Sequence, residues 1–144
     1  MERLVLVRHG DYGPDGHLSD AGRQQIAGLA EILADKINGS SVLVLSSSAP
    51  RALDSAMIIA EKFGTTIESH DFLYDEWDSQ KLVQLISTHT NQAETVVVVA
   101  HIEVERFPEW FGETQLKVRL PKIAVQKGAG LLIDCKTKMM FRIC

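Results

Sequence analysis

The sequence predicts an α/β protein, a three-layer α/β/α sandwich whose central mixed sheet is mostly parallel. Three observations lead to this prediction. Runs of consecutive apolar residues, typical of strands buried on both faces, recur along the chain. Segments with helical spacing of apolar residues separate these runs, as the crossovers between parallel strands require. At the end of the sequence, two strand-like segments flank a short polar turn, which indicates an antiparallel hairpin.

The first predicted strand, residues 4–7, is followed directly by Arg8, His9 and Gly10. Ligands of open α/β sheets bind at the carboxyl ends of the strands, where these three residues lie. A guanidinium beside an imidazole suits an anion such as phosphate, and Gly10 lets the backbone approach such a substrate closely. Taken alone, the Arg-His pair is equally compatible with a merely polar strand end. The other motifs of the chain are needed to distinguish an anion site from this alternative.

A turn-rich loop leads from Gly10 into the first predicted helix. Ser19 suits the N-cap and Asp20 the first turn, and Asn38 and Gly39 are expected to end the helix. The apolar face of this helix comprises Gly22, Ile26, Leu29, Ala30, Leu33 and Ile37.

The second strand and the second helix repeat this arrangement. The strand, residues 42–45, is fully apolar, and Pro50 suits the first turn of the helix that follows. Arg51 stands in that first turn, where free backbone N–H groups add to its positive charge. We expect Gly64 to end the helix. The expected buried stripe of this helix consists of Leu53, Ala56, Met57, Ala60 and Phe63.

Two weaker elements and a loop follow Gly64. Residues 65–68 are a short predicted strand, residues 71–78 an acidic and aromatic loop, and residues 81–88 a helix. The inward residues of that helix are expected to be Leu82, Leu85 and Ile86.

The strongest strand of the sequence, residues 95–100, ends at His101. Residues 103–111 have helical composition, but Pro108 argues against a long regular helix there. The last strands are predicted over residues 122–125, 130–134 and 139–143, the final two as a hairpin.

Composition excludes several classes of function. The 144 residues fit one domain, residues 1–144. The net charge of −4 argues against nucleic acid as a partner, and the apolar runs are too short to cross a membrane. We expect no signal segment before the first strand, and Cys135 and Cys144 lack CxxC spacing. We therefore expect a cytoplasmic protein without a disulfide framework.

Four side chains with suitable chemistry follow the ends of apolar strands: Arg8, His9, Arg51 and His101. If these strands are neighbours, the four side chains meet in one pocket. Two guanidiniums can hold phosphate oxygens, one neutral imidazole can attack phosphorus, and the other can donate to the equatorial oxygens. No metal is required, because the cations supply the positive charge, and the five histidines lack metal-ligand spacing.

These residues carry a resemblance to a known family. Arg8, His9 and Gly10 after an apolar strand resemble the RHG signature of the histidine phosphatase superfamily, also called phosphoglycerate-mutase-like. Three further segments are similar to later motifs of that family: LSDAGRQQ at residues 18–25, SSSAPRA at residues 46–52 and VVAH at residues 98–101. The short chain most resembles the compact SixA-type phosphohistidine phosphatases.

The resemblance implies a phosphoglycerate-mutase-like fold and a phosphatase without a cofactor. His9 would be the nucleophile that becomes phosphorylated, and Arg8, Arg51 and His101 would form the phosphate pocket. The substrate would be a phosphorylated protein, in particular a phosphohistidine protein, or a small phosphomonoester. Water would then hydrolyse the phosphohistidine intermediate.

Ile102 departs from the family pattern, which has Gly or Asn after the second histidine. Its bulk would narrow the pocket, and Glu103 and Glu105 would repel an anionic substrate, so we expect low or selective activity. Asp75 and Glu76 are the candidate general acids, although such an acidic loop is commonly only solvated. A phosphohistidine substrate has a good nitrogen leaving group and needs less help from an acid.

Two other functions stay open at this point. A mutase that moves phosphate within a small metabolite would need an enclosed pocket and a stronger general acid. A non-catalytic module that binds phosphate or docks a partner would fit the bulk of Ile102 and the nearby glutamates. Four aromatic residues are expected to pack in the core rather than frame a docking surface: Trp77, Phe107, Trp110 and Phe111. His17 is expected to lie on a surface loop rather than touch the pocket, and no role is assigned to His70 and His89.

Overall fold

One mixed sheet of six strands forms the centre of the computed structural model, which describes residues 1–89 and 92–143. The strands are β1 (Arg3–Arg8), β2 (Val42–Ser47), β3 (Ile67–His70), β4 (Thr95–Ala100), β5 (Gly130–Asp134) and β6 (Met139–Ile143). They lie in the order β3-β2-β4-β1-β5-β6. β1 to β4 run parallel, whereas β5 is antiparallel to both of its neighbours. The carboxyl ends of β1, β4 and β2 are therefore adjacent.

Helices cover both faces of this sheet. They are α1 (Asp20–Lys36), α2 (Pro50–Phe63), α3 (Ser79–Thr88) and α4 (Phe107–Phe111). Successive β1 side chains point to opposite faces: Val5 and Val7 pack with α1 and α2, and Leu4 and Leu6 pack with α3 and α4. All four are fully buried. The three-layer sandwich confirms the predicted fold class.

The predicted ends of the first two helices are close to the observed ones. Ser19 Oγ accepts the Gly22 N–H at 3.1 Å and caps α1, which ends at Lys36. Pro50 is the first residue of α2, and Gly64 follows its last residue with φ of 64°, in the left-handed region. Ser19 and Pro50 begin helices and Gly64 ends one through their own backbone geometry and hydrogen bonding. Helix boundaries of this kind can therefore be predicted from the residue type alone.

α2 turns a different stripe inward from the predicted one, so that prediction is wrong in part. The buried residues are Ala52, Ser55, Ala56, Ile59 and Ala60. Met57 is 51% exposed, and Leu53 and Phe63 are only half-buried. Both stripes have helical spacing, so spacing alone does not separate them. Ser55 belongs inside because its Oγ accepts the buried Gly10 N–H at 3.1 Å.

The strand predicted over residues 122–125 is also wrong, since residues 117–129 form neither helix nor strand. The backbone of Val125 bonds to side chains instead. Its N–H donates to Glu105 Oε2 at 2.7 Å, and its carbonyl oxygen accepts from Arg8 Nη1 at 3.1 Å. These are the backbone groups that a neighbouring strand would need.

Smaller differences concern the ends of elements. β3 begins at Ile67, two residues later than predicted, and α3 begins at Ser79, two residues earlier. Asp78 caps α3 by accepting the Lys81 N–H at 3.0 Å. Pro108 lies in the first turn of α4, so residues 102–116 divide into a 3₁₀ turn, α4 and a π-helical turn.

Cys135 is a free, half-buried thiol, and burial raises its pKa. Cys144 lies outside the described residues. Across residues 1–89 and 92–143, none of the helices has both the length and the apolarity that crossing a membrane demands.

Candidate active site

The adjacent carboxyl ends of β1, β4 and β2 place the four predicted site residues in one region. Arg8 ends β1 and His9 follows it, Arg51 stands in the first turn of α2, and His101 follows β4. The ring centroids of His9 and His101 are 5.0 Å apart. Arg51 Nε lies 3.3 Å from His9 Nε2. The two imidazoles and the second guanidinium, from three separate stretches of chain, are therefore in direct contact.

His9 has one ring nitrogen tied to the backbone and the other turned towards Arg51. Its Nδ1 lies 2.9 Å from the Gly10 carbonyl oxygen, which can only accept, so Nδ1 carries the proton and Nε2 the lone pair. Burial lowers the pKa of His9 to about 4, and the charges of Arg51, Arg8 and Lys127 act in the same direction. The ring, in a residue only 4% exposed, is therefore neutral at neutral pH.

His101 is held by a hydroxyl group from the end of β2. Its Nε2 lies 2.8 Å from Ser47 Oγ, which also accepts the Ala49 N–H at 3.1 Å. The serine hydroxyl can donate to Nε2 of a ring protonated on Nδ1, or accept from a ring protonated on Nε2. Burial lowers the pKa of His101 to about 4, and the nearby positive groups act in the same direction. This second imidazole is neutral as well at neutral pH.

Arg8 is fixed by a short series of hydrogen bonds. Its Nη1 donates to the Val125 carbonyl oxygen at 3.1 Å, and the Val125 N–H donates to Glu105 Oε2 at 2.7 Å. Arg8 Nε is buried and has no hydrogen-bond partner among the described residues. A buried donor without an acceptor costs free energy, so an anion that accepts from it is favoured. Glu105, which we expected to repel an anion, is occupied by this backbone contact.

Two tyrosines flank Arg51 at the rim of the site. The Arg51 Cζ atom lies 4.6 Å from the Tyr12 ring centroid and 5.5 Å from that of Tyr74. Tyr12 also meets the His9 ring at 5.4 Å, and Tyr74 meets the His101 ring at 5.1 Å. Because Tyr12 is 43% and Tyr74 51% exposed, they present aromatic surface to any molecule that enters.

Sequence reasoning missed these two tyrosines, and also Ser47 and Lys127. Ser47 and Tyr12 lie close to predicted strand ends, and this position is the sequence feature that could have identified them. Tyr74 lies within the predicted acidic loop, whose candidate site residues were the carboxylates Asp75 and Glu76. Lys127, whose Nζ is 5.1 Å from the Tyr12 ring, belongs to the segment without regular structure. No sequence pattern pointed to it.

Gly10 provides a close approach between two stretches of backbone. A Cβ atom at Gly10 would lie 2.8 Å from the Gly22 carbonyl oxygen, and one at Gly22 would overlap the Asp11 carbonyl oxygen. The Gly10 N–H already donates to Ser55 Oγ at 3.1 Å. The loop after His9 therefore packs directly on the first turn of α1. A contribution of Gly10 to substrate binding stays a prediction.

The candidate general acids lie in the loop that supplies Tyr74. Asp75 and Glu76 are both exposed, and within the described chain neither has a hydrogen bond or ion pair to the four predicted site residues. Ile102, directly after His101, is 41% exposed. The ring that meets His101 from this loop is that of a tyrosine.

The remaining histidines pair with carboxylates. His17 lies 3.0 Å from Asp54, and Glu68 joins His70 at 2.8 Å and His89 at 3.1 Å. A groove of about 630 Å³ over residues 109–122 contains none of the four predicted site residues. Among residues 1–89 and 92–143, no three or more His, Cys, Asp or Glu side chains are grouped to hold a metal ion.

Known sequences match most of this chain. The model of the histidine phosphatase superfamily, branch 1, matches residues 4–114. Glucosyl-3-phosphoglycerate phosphatase of Mycolicibacterium vanbaalenii is 35% identical over an alignment of 77 residues, which covers 46% of this chain and 33% of that protein. The chain thus spans about a third of the length of the curated relative it matches.

Solved structures match the whole fold. A putative phosphohistidine phosphatase SixA from Agrobacterium tumefaciens has a TM-score of 0.65 at 21% identity, over 99% of this chain and 96% of its own. A protein histidine phosphatase SixA complexed with tungstate has a TM-score of 0.71 at 15% identity, over 99% and 94%. A mycobacterial glucosyl-3-phosphoglycerate phosphatase complexed with VO3 has a TM-score of 0.66 at 19% identity, over 99% and 97%.

Proposed function

Because this chain belongs to branch 1 of the histidine phosphatase superfamily, we propose that it is a phosphatase that works through a phosphohistidine intermediate on His9. Its substrate is a phosphohistidine protein or a phosphomonoester. The observation that carries the proposal is the contact of His9 Nδ1 with the Gly10 carbonyl oxygen, which leaves Nε2 unprotonated beside Arg51 and His101.

In the first step, the His9 Nε2 lone pair forms a bond to phosphorus. The bond from phosphorus to the substrate nitrogen or oxygen breaks, and its electron pair leaves with the leaving group, which takes a proton. The His9 ring then carries positive charge, which the Gly10 carbonyl oxygen stabilises through Nδ1–H. In the second step, water forms a new P–O bond and releases a proton. The N–P bond breaks, its electrons return to Nε2, and phosphate departs.

Positive charge for the phosphoryl oxygens comes from the side chains around His9. Arg8 Nε is a buried donor without a partner among the described residues, and His101 is a second donor when its proton is on Nδ1. Arg51 Nε donates to His9 Nε2, and this N–H turns to a phosphoryl oxygen once Nε2 bonds to phosphorus. Such donors act most strongly on the charge that develops in the transition state.

The surroundings of His101 favour a phosphohistidine over an ordinary phosphate ester. An alkoxide leaving group needs a general acid, whereas the imidazole of a phosphohistidine leaves more easily. The loop that holds Asp75 and Glu76 directs Tyr74 against His101, and both carboxylates are exposed. A small phosphate ester stays the second candidate, since the 35% identical relative is named a glucosyl-3-phosphoglycerate phosphatase.

The test compares His9→Asn with the wild-type protein. Asn keeps a donor for the Gly10 carbonyl oxygen but has no nucleophile, so phosphate release should fall by about a thousandfold or more. His17→Asn is the matched control, since His17 is exposed and pairs with Asp54, and it should keep full activity. Release is measured from a phosphohistidine protein and from an aryl phosphate, together with trapping of radiolabelled phosphate on the protein.

Wild-type turnover by His9→Asn would show that the nucleophile assignment is wrong. Phosphate binding without turnover of either substrate by the wild-type protein would instead favour a non-catalytic module. Isomerisation of a phosphoglycerate without free phosphate would favour a mutase.

A further inference from the structure

A cleft of about 300 Å³ lies on the two loops that also carry Tyr74 and His101. Its lining residues are Trp77, Ser79, Glu103, Arg106, Phe107 and Trp110. Trp77 follows Tyr74 by three residues, and Glu103 follows His101 by two. We call this the aromatic cleft. The loops that bring Tyr74 and His101 to the candidate active site therefore continue directly into the aromatic cleft.

Three aromatic rings build the walls of the aromatic cleft. Phe107, only 1% exposed, forms its base, and the Trp77 ring stands over it at 5.8 Å with an interplanar angle of 72°. The Trp110 ring lies 5.8 Å from Phe107 at 35°. The Trp77 indole N–H already donates to Ser79 Oγ at 3.0 Å. The faces of such rings attract organic cations.

Glu103 adds an unsatisfied acceptor to these rings. Its Oε1 atom is buried and has no hydrogen-bond partner among the described residues. A carboxylate oxygen withdrawn from water without a donor is costly, so a donor from outside the chain stabilises it. A cationic group supplies both the donor and the compensating charge.

The charges around the aromatic cleft also favour a cation. A second cleft of about 480 Å³ shares Trp77, Ser79 and Trp110 with it, and Glu76 and Asp78 line that cleft. Arg106 is the basic residue that lines the aromatic cleft, and its side chain is exposed. Three carboxylates therefore line the two clefts that share the tryptophans, against one exposed cation.

We propose that the aromatic cleft binds a basic side chain, arginine or lysine, of a protein substrate whose phosphoryl group enters at His9. This identification of the partner rests on the proposed phosphatase function, whereas cation binding itself does not. The cleft thus distinguishes proteins that carry a basic residue near the phosphorylated side chain from small phosphate esters that lack such a residue.

The first experiment uses the fluorescence of Trp77 and Trp110, the two tryptophans of the chain. Both line the aromatic cleft, so their emission reports on it directly. Nα-acetyl-arginine amide should change the emission saturably, whereas its neutral isostere, Nα-acetyl-citrulline amide, should bind about tenfold more weakly or not at all. Glu103→Gln should remove the preference for arginine. Equal binding of the two compounds, or full arginine binding by Glu103→Gln, would overturn the proposal.

Arg106→Gln provides the matched control. If Glu103 serves an outside cation, removal of the competing charge should tighten arginine binding and leave the melting temperature unchanged. A lowered melting temperature with no arginine binding would instead show that Arg106 is the partner of Glu103, and the proposal would fail. Should Glu103→Gln not fold, Trp77→Leu replaces it, because Trp110 still reports binding and its arginine affinity should fall.

The second experiment links the aromatic cleft to turnover. Phosphohistidine peptides that carry either arginine or citrulline are compared with phosphoramidate. Glu103→Gln should raise KM about tenfold for the arginine peptide, with kcat and the phosphoramidate rate unchanged. An unchanged KM for the arginine peptide would contradict the partner. If wild-type protein hydrolyses none of the three, the proposed function fails, while the fluorescence titration still decides cation binding.

Discussion

The imidazole of His9 is neutral for reasons that lie within a few ångströms of it. The Gly10 carbonyl oxygen fixes the single proton on Nδ1, and burial together with the charges of Arg51 and Arg8 opposes a second proton. The guanidiniums that are proposed to hold the phosphoryl group thus also keep a lone pair on Nε2. One arrangement of charge serves both substrate binding and nucleophilicity.

This lowered pKa predicts the acid side of the pH profile. Protonation of His9 would remove the nucleophile, and the pKa of His9 is about 4 rather than 6.5. We therefore expect kcat/KM for an aryl phosphate, corrected for the substrate's own titration, to stay level as the pH falls to 5 and to decline near 4. A decline centred between pH 6 and 7 in a protein that is still folded would contradict this assignment.

Sequence alone identified the four groups that carry most of the proposed chemistry, because each follows an apolar strand whose end could be recognised. It gave no information on the groups that orient them. Ser47 contacts His101 across 54 residues of chain, and Val125 contacts Arg8 across 117. These contacts form because the strand order brings distant parts of the chain together, and no local sequence pattern predicts the strand order. The roles of Glu105 and Lys127 were missed for the same reason.

At the scale of elements, the loop after β1 and the first turn of α1 meet through their backbones. The loop after β1 passes so close to α1 that Gly10 and Gly22 face each other without room for a Cβ atom. The Asp11 carbonyl oxygen also accepts the Ser19 N–H at 3.0 Å, which ties the same loop to the helix cap. The position of His9 therefore depends on how closely this helix can approach.

Two alanine substitutions in α1 separate this contact from helix propensity. Gly22→Ala places a Cβ on the Asp11 carbonyl oxygen, so it should lower the free energy of unfolding by about 3 kcal/mol and also reduce kcat. Gly28→Ala meets nothing within 4 Å on an exposed face, so it should raise the free energy of unfolding by about 0.5–1 kcal/mol with unchanged kcat. Urea denaturation and steady-state kinetics measure both. Equal effects of the two substitutions would rule out the proposed close contact.

The predictions were right for helix ends, which depend on single residues with special backbone behaviour. They were wrong where two sequence patterns fit equally well and tertiary contacts determine which one the structure adopts. Ser19, Pro50 and Gly64 act on the chain next to them, and the helix ends follow. The inward stripe of α2 depends instead on Ser55 bonding to Gly10, 45 residues away. The segment of residues 122–125 has apolar residues typical of a strand, but its backbone is used by Glu105 and Arg8.

At the scale of the whole molecule, His9 and His101 link stability to pH. In the folded protein the pKa of His9 and that of His101 are about 4, against 6.5 for a free imidazole. Between these values the unfolded chain binds protons that the folded chain does not. The contribution of the two neutral imidazoles to the free energy of unfolding is therefore fully present above about pH 6.5, and it is lost as the pH falls towards 4.

We expect the free energy of unfolding to decrease between pH 7 and pH 4.5. His9 alone should account for a loss on the order of 2 kcal/mol. In His9→Asn this part is absent, so the difference in unfolding free energy between the two pH values should shrink by that amount. Urea denaturation at both pH values measures it. An identical pH dependence in wild type and variant would contradict the lowered pKa of His9.

The place of β1 in the sheet has a consequence for partial unfolding. β1 is hydrogen-bonded along its length to β4 on one side and to β5 on the other, whereas β3 and β6 form the two borders. Fraying at either border leaves both neighbours of β1 attached. Local unfolding at either edge of the sheet therefore leaves β1, the strand that positions His9, in place. We expect β1 to lose its pairing only in global unfolding.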